Sequence, residues 1–170
     1  VIRYNSNGTI DNTFGTGGHQ STDIFGYWDV GYDIALQTDG KLLVVGRANM
    51  MVDADVTLIR YNINGSLDNT FGSSGIVTTD FGSSNDYANS VAVQNDGKIL
   101  IAGNTNYMGE YDICIARYNP DGSLDSSFGL IGKLVTDLGG LDGGSSLALQ
   151  TSGKIVVSGS RMIGSDGDFA

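Results

Sequence analysis

The chain has 170 residues, of which 26 are glycine and 19 are acidic, against 9 basic residues, so its net charge is −10. All acidic residues except Glu110 are Asp, and Asp and Gly favour turns and caps over helix interiors, which argues against a helical protein. The negative charge and the scattered basic residues also argue against nucleic acid and membrane insertion, whereas 40% hydrophobic residues suffice for a packed core.

The sequence repeats itself three times. Arg-Tyr-Asn begins at Arg3, Arg60 and Arg117, two intervals of 57 residues. Phe-Gly pairs and turns ending in Gly-Lys keep the same spacing, except that the third copy lacks one residue. The chain is therefore predicted to be a single repeat domain with periods 1–57, 58–114 and 115–170, opened in the middle of one strand.

Each period contains four predicted strands, which the middle copy illustrates. They are Ile76–Asp80, Ala88–Gln94, Lys98–Gly103 and Asp112–Asn119, separated by turn residues. The turn Asn95-Asp96-Gly97 predicts a hairpin of type I′, with positive φ at both central residues. The third strand and its counterparts in the other copies are apolar throughout, which predicts strands buried on both faces.

Four short strands in each period of 57 residues indicate an all-β, β-propeller-like fold with three four-stranded antiparallel blades. We expect Leu67 and Phe71, between the fourth strand of one period and the first of the next, to pack one blade on the next. Propellers have about four to eight blades, so three would leave two open edges. Self-association is therefore predicted, with two chains forming a six-bladed ring in which Asp168–Ala170 of one chain completes the strand begun by Val1–Asn5 of the other. The alternative is a segment of a longer chain.

A long motif carries a family resemblance. The string from Ala116 to Gly129, ARYNPDGSLDSSFG, is followed by Val-Thr-Asp at 135–137, by Leu-Ala-Leu-Gln at 147–150 and by Gly-Lys-Ile at 153–155. This pattern resembles the delta-60 repeat family over all three periods, and departs from it at Ser152 and in the shortened loop 138–149. The resemblance implies propeller-like repeats in a bacterial protein that is extracellular or at the cell surface, with no settled activity and no catalytic residues to transfer.

Repeated polar residues are interpreted first as structural, because a catalytic group usually occurs once. We expect Arg3, Arg60 and Arg117 to pair with a repeated Asp, and the repeated lysines to act likewise. One repeated pattern has the oxygen ligands that Ca²⁺ prefers, although Ca²⁺ needs about six to eight of them and solvated loop acids are the simpler interpretation. These weak metal candidates are Asp53, Asp55, Glu110, Asp112, Asp166 and Asp168.

The sequence contains few candidates for catalytic residues. His19 is the single histidine and has no nucleophile motif beside it, and Cys114 replaces a strand threonine, so we interpret them as a surface residue and a packing residue. No catalytic residue and no cofactor other than possible calcium is predicted. The loops joining the first strand to the second and the third to the fourth carry candidate ligand-binding aromatics, with a local lid as the alternative: Tyr27, Trp28, Tyr32, Tyr107 and Tyr111.

The sequence therefore predicts a non-enzymatic propeller module that binds or scaffolds a protein or glycan partner. The first alternative is a carbohydrate-binding domain, arranged as a three-fold trefoil or prism. The second alternative is a hydrolase that uses Asp residues.

Overall fold

The computed structural model describes residues 1–82, 85–106, 109–164 and 166–170, and its regular elements are all β-strands. The strands are β1 (Asp29–Leu36), β2 (Leu42–Asn49), β3 (Ala54–Tyr61), β4 (Ile76–Thr79), β5 (Asp86–Val93), β6 (Ile99–Thr105), β7 (Asp112–Tyr118), β8 (Lys133–Thr136), β9 (Leu141–Leu149), β10 (Ile155–Ile163) and β11 (Asp166–Phe169). Within these described ranges, no helix is long and apolar enough to cross a membrane.

The strands form three antiparallel meanders. Sheet 1 has the order β1-β2-β3-β4, sheet 2 has the order β5-β6-β7-β8, and sheet 3 has the order β11-β10-β9. The predicted grouping of strands within a period was wrong, because Ile76–Thr79 pairs with β3 and not with the strands that follow it. Among the described residues, sheet 3 has three strands, whereas four were predicted for every blade.

The first twenty residues resemble the outer half of a further sheet. Ile2 forms an antiparallel bridge with His19, and Tyr4 forms one with Ile10. In the repeat, Ile2 and Tyr4 correspond to the end of a third strand, and His19 corresponds to the start of a fourth strand. Sheet 3 ends with the four-residue strand β11, which corresponds in the repeat to the first half of a third strand.

The hairpin turns differ from the predicted type. At the turn after β5, Gly97 has a φ of +83°, but Asp96 is not among the residues with positive φ. The amide of Gln94 donates to the carbonyl of Lys98 at 2.8 Å, and the amide of Gly97 donates to the carbonyl of Gln94 at 2.9 Å. This geometry is a three-residue loop with a left-handed glycine in the bulge position, so the type I′ prediction was wrong.

A bulge in the first strand of each sheet accounts for a glycine in the second strand. The register of β5 against β6 shifts between Ala88 and Ser90, opposite Gly103. A Cβ atom on Gly103 would lie 1.8 Å from the carbonyl oxygen of Tyr87, and Gly46 and Gly159 meet the same obstacle in the other sheets. The glycine is therefore required by the close approach of two backbones and not by its φ angle.

The core lies between successive sheets. Leu100 and Ile101 of β6 are both fully buried, one facing sheet 3 and the other facing sheet 1, which confirms the prediction for this strand. The prediction of burial on both faces was wrong for the equivalent strands β2 and β10. Strand β2 is buried at alternate residues, and Val156 of β10 is 46% exposed. Among the described residues, sheet 2 has a neighbouring sheet on each side, whereas sheets 1 and 3 each have sheet 2 as their one neighbouring sheet. Phe71 is fully buried in the core between sheets 1 and 2. It belongs to the connection from β3 to β4 within sheet 1, and not, as expected from the sequence, to a connection from one sheet to the next.

Candidate functional site

One end of the sheets gathers the connections that differ most between repeats. We define the loop face as the connections that lead into β1, β5 and β9 together with those that join β2 to β3 and β6 to β7. Backbone contacts join these connections across sheets: Ala54 at the start of β3 forms a parallel bridge with Asn85, which precedes β5, and the amide of Asp142 in β9 donates to the carbonyl of Tyr111, which precedes β7, at 2.6 Å. The loop face is therefore one continuous surface along the three sheets.

Three candidate aromatic residues lie together in sequence at the start of sheet 1. Trp28 is 75% exposed, Tyr27 is 51% exposed and Tyr32 is 46% exposed. They are called the aromatic patch below. Exposure of a whole indole ring is unusual, since Trp is highly buried on average. All three side chains are therefore accessible to solvent in this structure.

Tyr111 lies in a second group, between sheets 2 and 3. Its ring centroid is 6.0 Å from that of Tyr87, and the two hydroxyl oxygens are 3.4 Å apart. The guanidinium of Arg47 stacks on the Tyr87 ring at 4.8 Å. Sequence reasoning missed Tyr87 and Arg47, because Tyr87 lies in a different strand from Tyr111 and Arg47 stacks on Tyr87 from sheet 1. The fifth aromatic candidate, Tyr107, lies outside the described residues.

A cleft opens beside Tyr111. Its volume is about 490 Å³, which lies within the range of about 300–1,000 Å³ typical of small-molecule sites. Asn104, Asp142 and Arg161 supply polar groups to the lining, and Phe169 supplies an apolar one. The cleft lies between the loop that precedes β7 and the surface of sheet 3.

Two clusters of three carboxylates occupy equivalent positions on the loop face. Each takes one Asp from the start of a third strand, one from the end of a fourth strand and one from the start of the next sheet. Within each cluster, one oxygen from each of the three Asp side chains lies within 4.8 Å of the others. The members of the first triad are Asp55, Asp80 and Asp86, and those of the second triad are Asp112, Asp137 and Asp142.

The first triad has one carboxyl that is easily protonated. Burial raises the pKa of Asp55, and repulsion from the Asp80, Asp53 and Asp86 carboxylates adds to this, giving a value of about 6. The same causes, burial first, raise the pKa of Asp112 in the second triad. The triads thus concentrate negative charge that a proton or a cation would relieve.

The Asp at the start of each sheet also closes the loop that precedes it. The carboxylate of Asp86 accepts a hydrogen bond from the amide of Phe81 at 2.7 Å, and Asp29 accepts one from Ile24 at 2.9 Å. Asp142 accepts the equivalent bond from Leu138. These acids therefore have a structural role at the start of every sheet.

The structure separates the six metal candidates. It places Asp55 and Asp112 in the triads, while Asp53 and Glu110 act on them only as nearby charges. Asp166 and Asp168 lie in β11 and are exposed, and among the described residues neither belongs to a triad. Sequence reasoning missed the other four members of the two triads, although their spacing by the repeat period was visible.

The two possible nucleophilic or basic residues occupy unpromising positions. His19 is exposed and lies in the bridge with Ile2. Cys114 is fully buried, and burial raises the pKa of its thiol above the ordinary range. A thiol that stays protonated in the core packs like a small apolar residue.

The repeated arginines form ion pairs, as predicted. The Nε atoms of Arg3, Arg60 and Arg117 lie 2.7–2.8 Å from carboxylates eight residues later in the chain. Lys41 and Lys98 add a second cation to two of these pairs, at 2.9 Å from Asp68 and 2.8 Å from Asp125. Arg60 and Arg117 lie in the third strands β3 and β7, and Asp68 and Asp125 lie in the connections that follow these strands, where the ion pairs have a structural role.

Consecutive antiparallel meanders that pack face to face, with tight turns and buried repeat anchors, define a propeller-like, all-β repeat domain. Residues 1–14, 37–71 and 94–128 match a family described as a domain of unknown function (DUF5122) beta-propeller, which supports a propeller repeat family. No curated protein matches the chain.

Proposed function

We propose that this domain is a non-enzymatic binding or scaffolding module of a bacterial surface or secreted protein, and that the aromatic patch contacts its partner. The observation that carries the proposal is the exposure of Trp28, at 75%, beside two half-exposed tyrosines. Burial of an indole ring makes one of the largest contributions of any side chain to the free energy of binding at a protein or glycan interface. The patch therefore offers a partner apolar area that the fold itself leaves in solvent.

The charge of the domain favours certain partners. The net charge is −10, and Asp29 and Asp33 lie in the same strand as Tyr32. A basic protein surface or a neutral glycan is therefore favoured over an acidic partner. Planar aromatic rings are also suited to stacking on sugar rings, so a glycan is the first alternative to a protein partner.

The direct test is a glycan array and a panel of basic proteins probed with the wild type and with Trp28→Ala. We expect at least a tenfold loss of affinity in the variant, with an unchanged melting temperature, because an exposed ring contributes little to stability. Leu130→Ala is the matched control, since Leu130 is 78% exposed but lies between β7 and β8, away from the loop face. Equal binding by Trp28→Ala and wild type would refute the role of the patch.

One observation favours the hydrolase alternative. A carboxyl with a pKa of about 6, close to other carboxylates, is the arrangement that acid–base hydrolases use. The arrangement recurs in the second triad, however, and a constellation present in successive repeats is more typical of folding than of catalysis. The test is hydrolysis of glycoside substrates by the wild type and by Asp55→Asn. If the wild type hydrolyses a substrate and the folded variant does not, the hydrolase proposal replaces the binding proposal.

A further inference from the structure

The second triad lies where sheet 2 meets sheet 3. Asp112 begins β7, Asp137 directly follows β8, and Asp142 lies at the start of β9. One carboxylate oxygen of each acid lies within 4.8 Å of the other two. Asp112 is only 7% exposed and Asp142 only 2% exposed. Carboxylates this close and this deeply buried repel one another unless a positive charge lies between them.

Two hydrogen bonds hold Asp142 between the other two acids. Its amide donates to the carbonyl of Tyr111, the residue before Asp112, at 2.6 Å. Its Oδ2 atom accepts a hydrogen bond from the amide of Leu138, the residue after Asp137. The same segments that carry the other two acids therefore fix the Asp142 carboxyl, and the backbone keeps the three carboxylates together.

The second oxygen of this carboxyl has no partner. Asp142 Oδ1 is buried and receives no hydrogen bond from the described residues. Both oxygens belong to one carboxyl group, so the unpartnered atom lies at the triad. A buried carboxylate oxygen that has lost its water and gained no donor costs free energy. It therefore indicates a positively charged ligand that the neighbouring side chains do not supply.

Basic side chains compensate other buried acids but not this one. Asp68 and Asp125 each bond one arginine and one lysine. Within the described ranges, none of the three acids of the second triad forms an ion pair. Arg161 lies opposite Asp142 in the pairing of β9 with β10, but its Nε atom donates to the carbonyl of Gly139 at 3.4 Å. The negative charge of the triad is therefore left uncompensated.

The chemistry of the triad selects a hard cation. Its members are three Asp side chains, which offer carboxylate oxygens, the ligands that Ca²⁺ prefers. A point between three oxygens that lie within 4.8 Å of one another is at most about 2.8 Å from each, close to the Ca–O distance of about 2.3–2.6 Å. Mg²⁺ needs about 2.0–2.1 Å and near-octahedral geometry, so it fits less well.

Further oxygens and a route for the ion are also present. Carboxylates bind Ca²⁺ through one or both oxygens, and Glu110 acts on Asp112 as a nearby charge, so Glu110 and water can complete the required set of about six to eight oxygens. Asp137 is exposed, which gives an ion access from solvent.

We propose that the second triad is a Ca²⁺ site, in which the carboxylates of Asp112, Asp137 and Asp142 bind the ion and Asp142 Oδ1 is one of its ligands. The ion neutralises the triad and ties the end of sheet 2 to the start of sheet 3. Trp28 and the rest of the aromatic patch belong to sheet 1, so this proposal does not depend on them.

Calorimetric titration of the chelator-treated protein with CaCl₂ tests the site. We expect saturable binding with a dissociation constant of about 1 mM or lower, the range of extracellular calcium modules. Asp142→Asn keeps an oxygen for the Leu138 amide but removes the charge, so it should weaken one binding event at least tenfold. Asp166→Asn is the matched control, since it removes an exposed acid outside the triad, and its affinity should stay within about threefold of wild type. No binding by the wild type up to about 10 mM Ca²⁺, or equal binding by wild type and Asp142→Asn, would overturn the proposal.

A second variant distinguishes loss of a ligand from loss of structure. Burial and repulsion from Asp137, Asp142 and Glu110 raise the pKa of Asp112, so a neutral amide is suited to this position when Ca²⁺ is absent. In a chelating buffer, Asp112→Asn should melt at or above the wild-type temperature. In excess Ca²⁺ it should melt below the wild type, because only the wild type gains stability from the ion. The same order of melting temperatures in both buffers would refute the site. Trp28→Ala should bind Ca²⁺ as the wild type does, so failure of this proposal and failure of the aromatic patch are separate results.

Discussion

Substitution of Arg60 by Met is expected to destabilise the fold more than the same substitution at the equivalent residues Arg3 and Arg117. Arg60 is 7% exposed and bonds Asp68 at 2.7 Å and the carbonyl of Pro120 at 2.6 Å. Its guanidinium also stacks on the ring of Phe71 at 4.3 Å. The Met side chain keeps the apolar stem but loses the charge, both bonds and the cation–π contact. Asp68, which is 4% exposed, would retain only Lys41 as a cationic partner.

The magnitude follows from burial. Breaking a buried ion pair costs about 3–5 kcal/mol, and we expect about 3 kcal/mol here because Lys41 still compensates Asp68. For a chain of this length, that loss lowers the melting temperature by about 6–12 °C. Arg3→Met is the matched control, since Arg3 makes the same contacts with Asp11, Ile63 and Phe14, but its side chain is 33% exposed compared with 8% for Arg60. The control should lose only about 1 kcal/mol or less.

Urea denaturation of the wild type and both variants at pH 7 measures these differences as changes in the midpoint with an unchanged slope. Equal destabilisation by Arg3→Met and Arg60→Met would refute the argument, because the two variants differ mainly in the burial of the same set of bonds. Both measurements should be made at one protein concentration, since self-association adds to apparent stability.

Three further predictions concern pH, backbone contact and the thiol. Because folding raises the pKa of Asp55, the free energy of unfolding should increase by about 1 kcal/mol, after solvent screening, as the pH falls from 7.5 to about 5. Because folding lowers the pKa of Asp68, the free energy of unfolding should decrease below about pH 4. Melting curves from pH 8 to 3 test both signs, and Asp55→Asn should reduce the increase in stability between pH 7.5 and 5. Gly103→Ala should destabilise by about 3 kcal/mol or more in urea, because its Cβ would lie 1.8 Å from the Tyr87 carbonyl, and a loss below about 1 kcal/mol would contradict this. Cys114 should react with a thiol reagent only as fast as the protein unfolds, and rapid labelling of the native state would show that its burial is wrong.

The pH prediction rests on opposite signs. A carboxyl whose pKa is raised by folding binds its proton more tightly in the folded state, so acid stabilises the fold between the folded and unfolded pKa values. For Asp68, burial raises the pKa, but hydrogen bonds from Lys41 and Thr70 and the charge of Arg60 lower it by more. Its contribution to stability is therefore complete near neutral pH and is lost as acid protonates the carboxyl.

Much of the architecture could be predicted from the sequence because it repeats. The recurrence of Arg, Asp and Gly at fixed offsets is sufficient to predict the ion pairs and the positions of the turns. Which sheet each strand joins could not be predicted in the same way. The run Ile76–Thr79 has the same strand propensity whether it pairs with β3 or with β5, and only the packing of the whole sheet decides between them.

The candidate site was harder to predict because it joins distant residues. Asp55, Asp80 and Asp86 come from three separate elements, and their proximity depends on how one sheet packs on the next. A local spacing of two residues between acids points to Asp55 but pairs it with Asp53. Aligning every acid by the repeat period, instead of by local spacing, would have shown that all three acids of the first triad recur in the second, although not that they lie together.

The connection between the third and fourth strands of each sheet has a consequence for how the domain unfolds. In sheet 1 it reaches into sheet 2, where Arg60 bonds Pro120 and the amide of Gly72 bonds the carbonyl of Asp121 at 2.9 Å. Loss of one sheet therefore removes bonding partners from its neighbour, and unfolding is cooperative along the array. Since strand β6 of sheet 2 is buried on both sides, we expect sheet 2 to open last and its amides to exchange with solvent most slowly.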